Sequence, residues 1–272
     1  MGRIIEKNYD VQAKINKKIV VLSDIHYYDK KNIKKLSKVL KKVEFIKPDY
    51  ICIPGDLIDE AKIYDKDLLI EWLTNLGKIC KVIISVGNHE LFITKKHIPT
   101  FNTGLIEQIK KIENIFYLDN EIKRIDNINF IGLTLPIDFY YKYNEDNDYF
   151  IKYFNKKFSK IDNRYNILLC HSPISIANKN VLDKLKIGNK INLVLSGHMH
   201  GGITPNILKK VLKGKGFISP RRRILEKNCY GFNKINNTNF IISSGITVAS
   251  HINSFRFFDR FFSSEISIIN FR

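Results

Sequence analysis

Five short stretches of this chain end in side chains that can hold metal ions or carry protons. "SDIH" delivers Asp24 and His26, "GDLID" Asp56 and Asp59, "GNHE" Asn88 and His89, "CHSP" His171, and "SGHMHGG" His198 and His200. Of seven histidines, only His97 and His251 lie elsewhere. A single His or Asp in such a place would ordinarily cap a turn or satisfy a hydrogen bond. The recurrence points to one shared site. Carboxylates and imidazoles with one amide oxygen, and no thiolate, suit Mn, Fe or Zn better than Ca or a structural zinc site. Asp24, His26, Asp56, Asn88, His171, His198 and His200 exceed what one ion needs, and they serve two ions if one carboxylate is shared. Two ions roughly 4 Å apart can clamp the attacking and leaving oxygens of a displacement at phosphorus.

Each of these stretches follows a run such as "KIVVL", "YICIP" or "VIIS", rich in β-branched residues and bounded by Gly, Pro or Ser. Such runs read as strands covered on both faces, and in open α/β sheets ligands gather beyond the carboxyl ends of the strands. Strand alternation would let His198 and His200, two residues apart, face the same way, with Gly201 and Gly202 allowing the chain to turn. Helical spacing of apolar residues predicts helices over 33–46, 68–76 and 105–112. Beyond residue 115, "IFYLDNEIKRIDNINFIGL" reads as antiparallel strands joined by tight turns, one at Asp126-Asn127. Residues 138–164, dense in Tyr, Phe and Lys, read as an inserted cap. The basic stretch 201–228 reads as loop, 229–246 as a hairpin and "SEISIINF" as a closing strand. No repeat or linker composition interrupts the chain, so a single mixed α/β domain over 1–272 is expected.

The 272 residues carry a formal net charge of +18, which favours phosphorylated or otherwise anionic partners: nucleotides, nucleic acid or lipid headgroups. Lys209, Lys210, Lys213 and Lys215, followed by "SPRRR" at 219–223, could receive substrate phosphates or an anionic membrane, or form a plain solvated surface. Tyr27 and Tyr28 are expected at the rim of the site. Core packing is the expectation for Tyr140, Tyr141, Tyr143 and the aromatic run from Phe255 to Phe262, with a lipid groove or dimer contact as the alternative. Cys52, Cys80, Cys170 and Cys229 lack metal-ligand spacing and read as reduced, spectator thiols. No apolar run approaches the roughly 20 residues of a membrane-spanning helix. The opening residues also lack a leader pattern, so a cytoplasmic protein is expected.

Together, "DIH", "GDLID", "GNHE", the isolated His171 and "GHMH" closely resemble the calcineurin-like metallophosphoesterases, in that family's order, over about residues 19–202. The resemblance implies a two-sheet α/β sandwich flanked by helices. It also implies that Asp24, His26 and His200 hold one metal ion, that Asn88, His171 and His198 hold the other, and that Asp56 bridges them. His89 would protonate the leaving oxygen or steady the phosphoryl charge, oriented by Asp59. Two ions, manganese first and iron or zinc otherwise, would support hydrolysis of a phosphodiester, pyrophosphate or phosphomonoester by a metal-bound hydroxide. "GHMHGG" with Arg256 and the Glu265 strand is similar to a bacterial GHxHGG branch, from which this chain departs at Ile203 and Glu90. The expected substrate is a phosphorylated small molecule or lipid headgroup. A nuclease of the same fold and a metal-free protein-binding scaffold are the other readings. Oligomeric state is left open.

Overall fold

The computed structural model describes residues 3–28, 30–59, 65–95, 104–141, 146–219, 223–247 and 262–272. His97, His251, Tyr143, Arg256 and the aromatic run 255–261 fall outside them. The first half alternates strand and helix: β1 (Ile4–Val11), β2 (Lys18–Val21), α1 (Lys30–Ile46), β3 (Tyr50–Pro54), α2 (Lys66–Ile79), β4 (Lys81–Ser85), α3 (Asn88–Lys95), α4 (Leu105–Lys110) and β5 (Ile115–Leu118). There follow β6 (Glu121–Ile125), β7 (Ile128–Leu133), α5 (Asp138–Tyr141), α6 (Asn147–Lys157), β8 (Tyr165–Cys170), α7 (Lys179–Lys184) and β9 (Leu193–Ser196). The last part holds α8 (Asn206–Leu212), the strand pair β10 (Gly216–Ile218) and β11 (Ile224–Glu226), then β12 (Gly231–Ile235), β13 (Thr238–Ile242) and β14 (Ser264–Phe271).

Two six-stranded sheets result, ordered β1-β14-β2-β3-β4-β5 and β12-β13-β9-β8-β7-β6. β2 to β5 are mutually parallel, as are β7, β8, β9 and β13. The apolar runs are continuous because each strand buries both faces. On β2, Ile19 and Val21 point between the sheets while Val20 packs under the helices. Facing side chains Cys52, Ile83, Phe130, Leu169, Leu195 and Ile241 close the inner layer. Outside the first sheet, α1 and α2 bury Leu36, Val39, Val43, Leu69 and Leu73, and Trp72 Nε1 donates to the Leu36 carbonyl at 3.0 Å. Outside the second lie Phe150, Phe154 and Val181. The mixed α/β sandwich with flanking helices is thus the fold.

Several expectations need correction. The antiparallel reading beyond residue 115 holds for β6 and β7, whose turn is at Asp126-Asn127, but β5 pairs parallel to β4 in the first sheet. The chain changes sheets at Asp119-Asn120. β7 pairs parallel to β8, and the intervening stretch expected as a cap contains α6, the crossover helix that such a pair requires. Phe150 and Phe154 are fully buried in the outer core, each contributing about 2 kcal/mol of burial. The stretch 201–228 is not all loop, since it holds α8 and the β10–β11 pair. All four cysteines are free thiols.

Candidate metal centre

Every site residue sits just past the carboxyl end of a parallel strand, and the backbone there leaves ordinary geometry. Asp24, His26, Asp56, His198 and His200 all have positive φ, between 46° and 66°. Non-glycine residues reach this left-handed region at a cost on the order of 1 kcal/mol or more each. Left-handed bends, not strand alternation, aim His198 and His200, because β9 has already ended at Ser196. The bends are packed tightly against their neighbours. A Cβ on Gly197 would come within 2.3 Å of Asp24 Oδ2, and one on Gly87 within 2.2 Å of Asp56 Oδ1.

Backbone bonds tie neighbouring loops together within each sheet. The Gly197 N–H donates to the His171 carbonyl at 3.0 Å, and the His26 N–H to the Asp56 carbonyl at 3.0 Å. After β13, the chain returns to the first sheet, where Thr247 N–H donates to the Asp24 carbonyl at 2.9 Å. Asp24 Oδ1 in turn accepts the His198 N–H at 2.9 Å.

The seven side chains converge. Asp56 Oδ2 lies 2.9 Å from His171 Nε2, 3.6 Å from His26 Nε2 and 3.9 Å from His89 Nε2. Asp24 Oδ1 lies 3.7 Å from His200 Nε2 and 4.0 Å from His171 Nε2. Among the described residues, three groups place their possible ligand atoms within 4.8 Å of one another: Asp24, His26 and His200; His26, Asp56 and His89; and Asp56, His171 and His198. Asn88 Oδ1 is 3.1 Å from His198 Nδ1, close enough to share a hydrogen bond or to bind one ion with it. Asp24, His26 and His171 are fully buried, and Asp24 Oδ2 finds no hydrogen bond among the described residues. A buried carboxylate oxygen left in that state suits a cation.

Ring orientation favours ligation as well. His171 Nδ1 meets the Pro54 carbonyl at 2.7 Å, and His200 Nδ1 the Thr247 carbonyl at 3.0 Å. A carbonyl only accepts, so both rings carry a proton on Nδ1 and turn Nε2 into the site. Burial works against a charge on Asp56, yet His171, then His89 and His26, hold its carboxyl well below the usual range. Burial likewise disfavours protonated His171, but Asp56 outweighs it and raises that imidazole to about 9. Burial, reinforced by His171, keeps His198 neutral.

His89 stands at the edge, its side chain 16% exposed, with Nδ1 3.8 Å from Asp59 Oδ1. Its ring meets His26 edge to face at 4.5 Å. Tyr140, expected in the cap, is buried against His198, ring centroids 5.2 Å apart. Tyr27 is not at the rim: it is fully buried, and its hydroxyl donates to the Asp65 carbonyl at 2.7 Å, where α2 begins. Burial pushes the Cys170 thiol up to about 12, and Sγ donates to the Ser172 carbonyl, as fits a spectator.

Two residues gain roles that the sequence did not reveal. The buried Glu90 carboxylate accepts the N–H groups of Gly87 at 2.6 Å, Asp56 at 3.0 Å and Ile58 at 3.1 Å, so it holds two loops of the site together. Its position at the start of α3, in a buried motif, was the available signal. The other is Lys209. Its Nζ turns inward to donate to Ser244 Oγ at 2.9 Å and lies 5.3 Å from the centre of the Tyr230 ring, behind Gly201.

Residues 17–202 match the family model described as calcineurin-like phosphoesterase. Among curated proteins, an uncharacterized metallophosphoesterase of Helicobacter pylori is 29% identical over 186 residues, covering 68% of this chain and 45% of that one. Uncharacterized metallophosphoesterase Cj0846 of Campylobacter jejuni is 27% identical over 217 residues, covering 78% and 52%. The chain therefore spans about half the length of these curated relatives. Among solved structures, TT1561 of Thermus thermophilus is similar at 12% identity with a TM-score of 0.49, covering 85% of this chain and 90% of that chain.

Proposed function

From its membership of the calcineurin-like phosphoesterase family, to which this chain belongs, we propose that it is a two-metal phosphohydrolase. Asp24, His26 and His200 would hold one ion, Asn88, His171 and His198 the other, with Asp56 lying between the two groups. The single observation that carries this reading is the joining of the Asp24 and His171 clusters through one buried carboxylate, Asp56, with ligands drawn from both sheets. Manganese is the first candidate, and iron or zinc fits the same donors. A bound pair of such ions supplies a nucleophile from water at neutral pH and offsets charge on the phosphoryl oxygens.

The chain's own groups do the rest. Asp56 stays ionised, and the Nδ1–H contacts of His171 and His200 keep both rings turned inward. His89, partly exposed at the mouth, is placed to give a proton to the departing oxygen, and Asp59 steadies its far nitrogen. The substrate proposed is a phosphodiester, pyrophosphate or phosphomonoester. With all seven ligand positions filled, a metal-free scaffold has no support in the donor set.

The test is hydrolysis of bis(p-nitrophenyl) phosphate and p-nitrophenyl phosphate after EDTA stripping and manganese addition. Manganese-dependent turnover is expected, abolished in Asp56→Asn. His89→Asn should keep its metal and lose about 100-fold in kcat. Full activity in Asp56→Asn would refute the assignment.

A further inference from the structure

α8 and the β10–β11 pair follow directly from the loop that carries His198 and His200, and neither buries the apolar side chains it presents. No residue of α8 is buried, although four of its seven residues are Ile, Leu or Val. Ile207 is 83% exposed and Val211, one turn on, 75%; they share a helix face. On the strand pair, Ile218 and Ile224 are cross-strand partners, with Ile224 73% exposed, and Phe217 and Leu225 are exposed beside them. A seven-residue helix has little intrinsic stability in water. Exposed apolar groups at this density mark an interaction surface.

The charges alongside name the partner. Among the described residues of 205–227 there are six Lys and Arg and one acidic residue, Glu226. Lys210, Lys213, Lys215 and Arg223 are exposed among the aliphatic side chains. A second copy of this chain would set cation against cation across such a face. Nucleic acid would meet the cations but gives Ile207, Val211 and Ile224 nothing to enter. An anionic bilayer accommodates both, with aliphatic groups at the acyl boundary and ammonium and guanidinium groups among the phosphates.

We propose that α8 and the β10–β11 pair dock this protein on the surface of an anionic membrane, without spanning it. Among the described residues, no helix is long and apolar enough to cross one. The docking elements are rigidly joined to the site. Phe217 N–H donates to Thr204 Oγ1 at 2.9 Å, and Gly216 packs against Gly202 so closely that a Cβ on Gly202 would reach 2.1 Å from the Gly216 Cα. A cavity of about 320 Å³ lies between Met199, which separates the two site histidines, and Arg223, Ile224 and Lys227. A docked molecule holds this cavity, and the site beside it, at headgroup level.

The experiment is flotation of the full chain with vesicles of phosphatidylcholine alone or mixed with phosphatidylglycerol, with and without EDTA. Flotation needs neither metal nor turnover, so it stands or falls separately from the hydrolase reading. The parent should float with the mixed vesicles at low salt, stay behind with phosphatidylcholine, and do so regardless of EDTA. Ile207→Ser with Val211→Ser, and separately Lys210→Glu with Lys215→Glu, should each weaken partitioning by about tenfold or more. Both double variants should leave cleavage of soluble p-nitrophenyl esters unchanged. No flotation of the parent would overturn the proposal. So would equal flotation of the Ile207/Val211 variant, which would reduce the effect to bulk charge. Self-association or DNA binding that depends on Ile207 and Val211, without flotation, would also overturn it and reassign the surface.

Discussion

His171 is subject to two opposed influences. Burial favours its neutral form, while Asp56 at 2.9 Å favours the imidazolium and raises it to about 9 in the metal-free chain. Below that pH the ring is protonated, and an ion must displace the proton to bind. Asp56 itself is already ionised and releases none. Manganese uptake at pH 7 should therefore release about one proton, and affinity should climb about tenfold per pH unit before flattening near pH 9. Titration in weakly buffered solution measures the release; uptake without it would contradict the charge state given to His171. The His, Asp and Asn side chains that gather here were legible in the sequence because they repeat at five run ends, whereas Glu90 was not. Their aim was not. Nothing in "GHMHGG" announces that His198 and His200 are turned by left-handed bends, since side-chain identity fixes a donor atom but not the φ that points it.

At the scale of elements, Glu90 shows how a helix start and a loop are held in register. Its carboxylate takes three backbone N–H groups from the Gly87 turn and the Asp56 loop, and the Asp56 side chain returns a bond to the His89 N–H at 3.0 Å. Glu90→Ala would leave three buried donors unpaired, each costing about 1 kcal/mol or more. Expected is a loss of about 3 kcal/mol in urea unfolding, with manganese affinity falling as well. A stable variant with intact affinity would show that the loops hold themselves. The strands and crossover helices of the first sheet were readable from period and composition. Three features escaped. β5 and β6 look like one hairpin, but the chain changes sheets between them; Tyr27 looks like rim, but anchors α2; and Lys209 looks like its exposed neighbours, but turns toward Ser244. Each depends on contacts with residues far away in the chain, which local pattern does not carry.

For the whole molecule, the proposed ligands come from both halves of the sandwich: Asp24, His26, Asp56 and Asn88 from the first sheet, His171, His198 and His200 from the second. Two ions held there would fasten the sheets at one edge and stabilise only the folded state. Stripping with EDTA should lower Tm by about 5 °C or more, with recovery on adding manganese. An unchanged Tm would mean that the cluster holds no ion. The order of the first sheet has its own consequence. β1 opens the described chain, and its strand partner is β14, which also separates it from β2. During synthesis, then, β1 emerges about 250 residues ahead of the strand it pairs with, and the β2 edge stays open throughout. The nascent chain cannot close this sheet until β14 leaves the ribosome, so the first sheet is completed last.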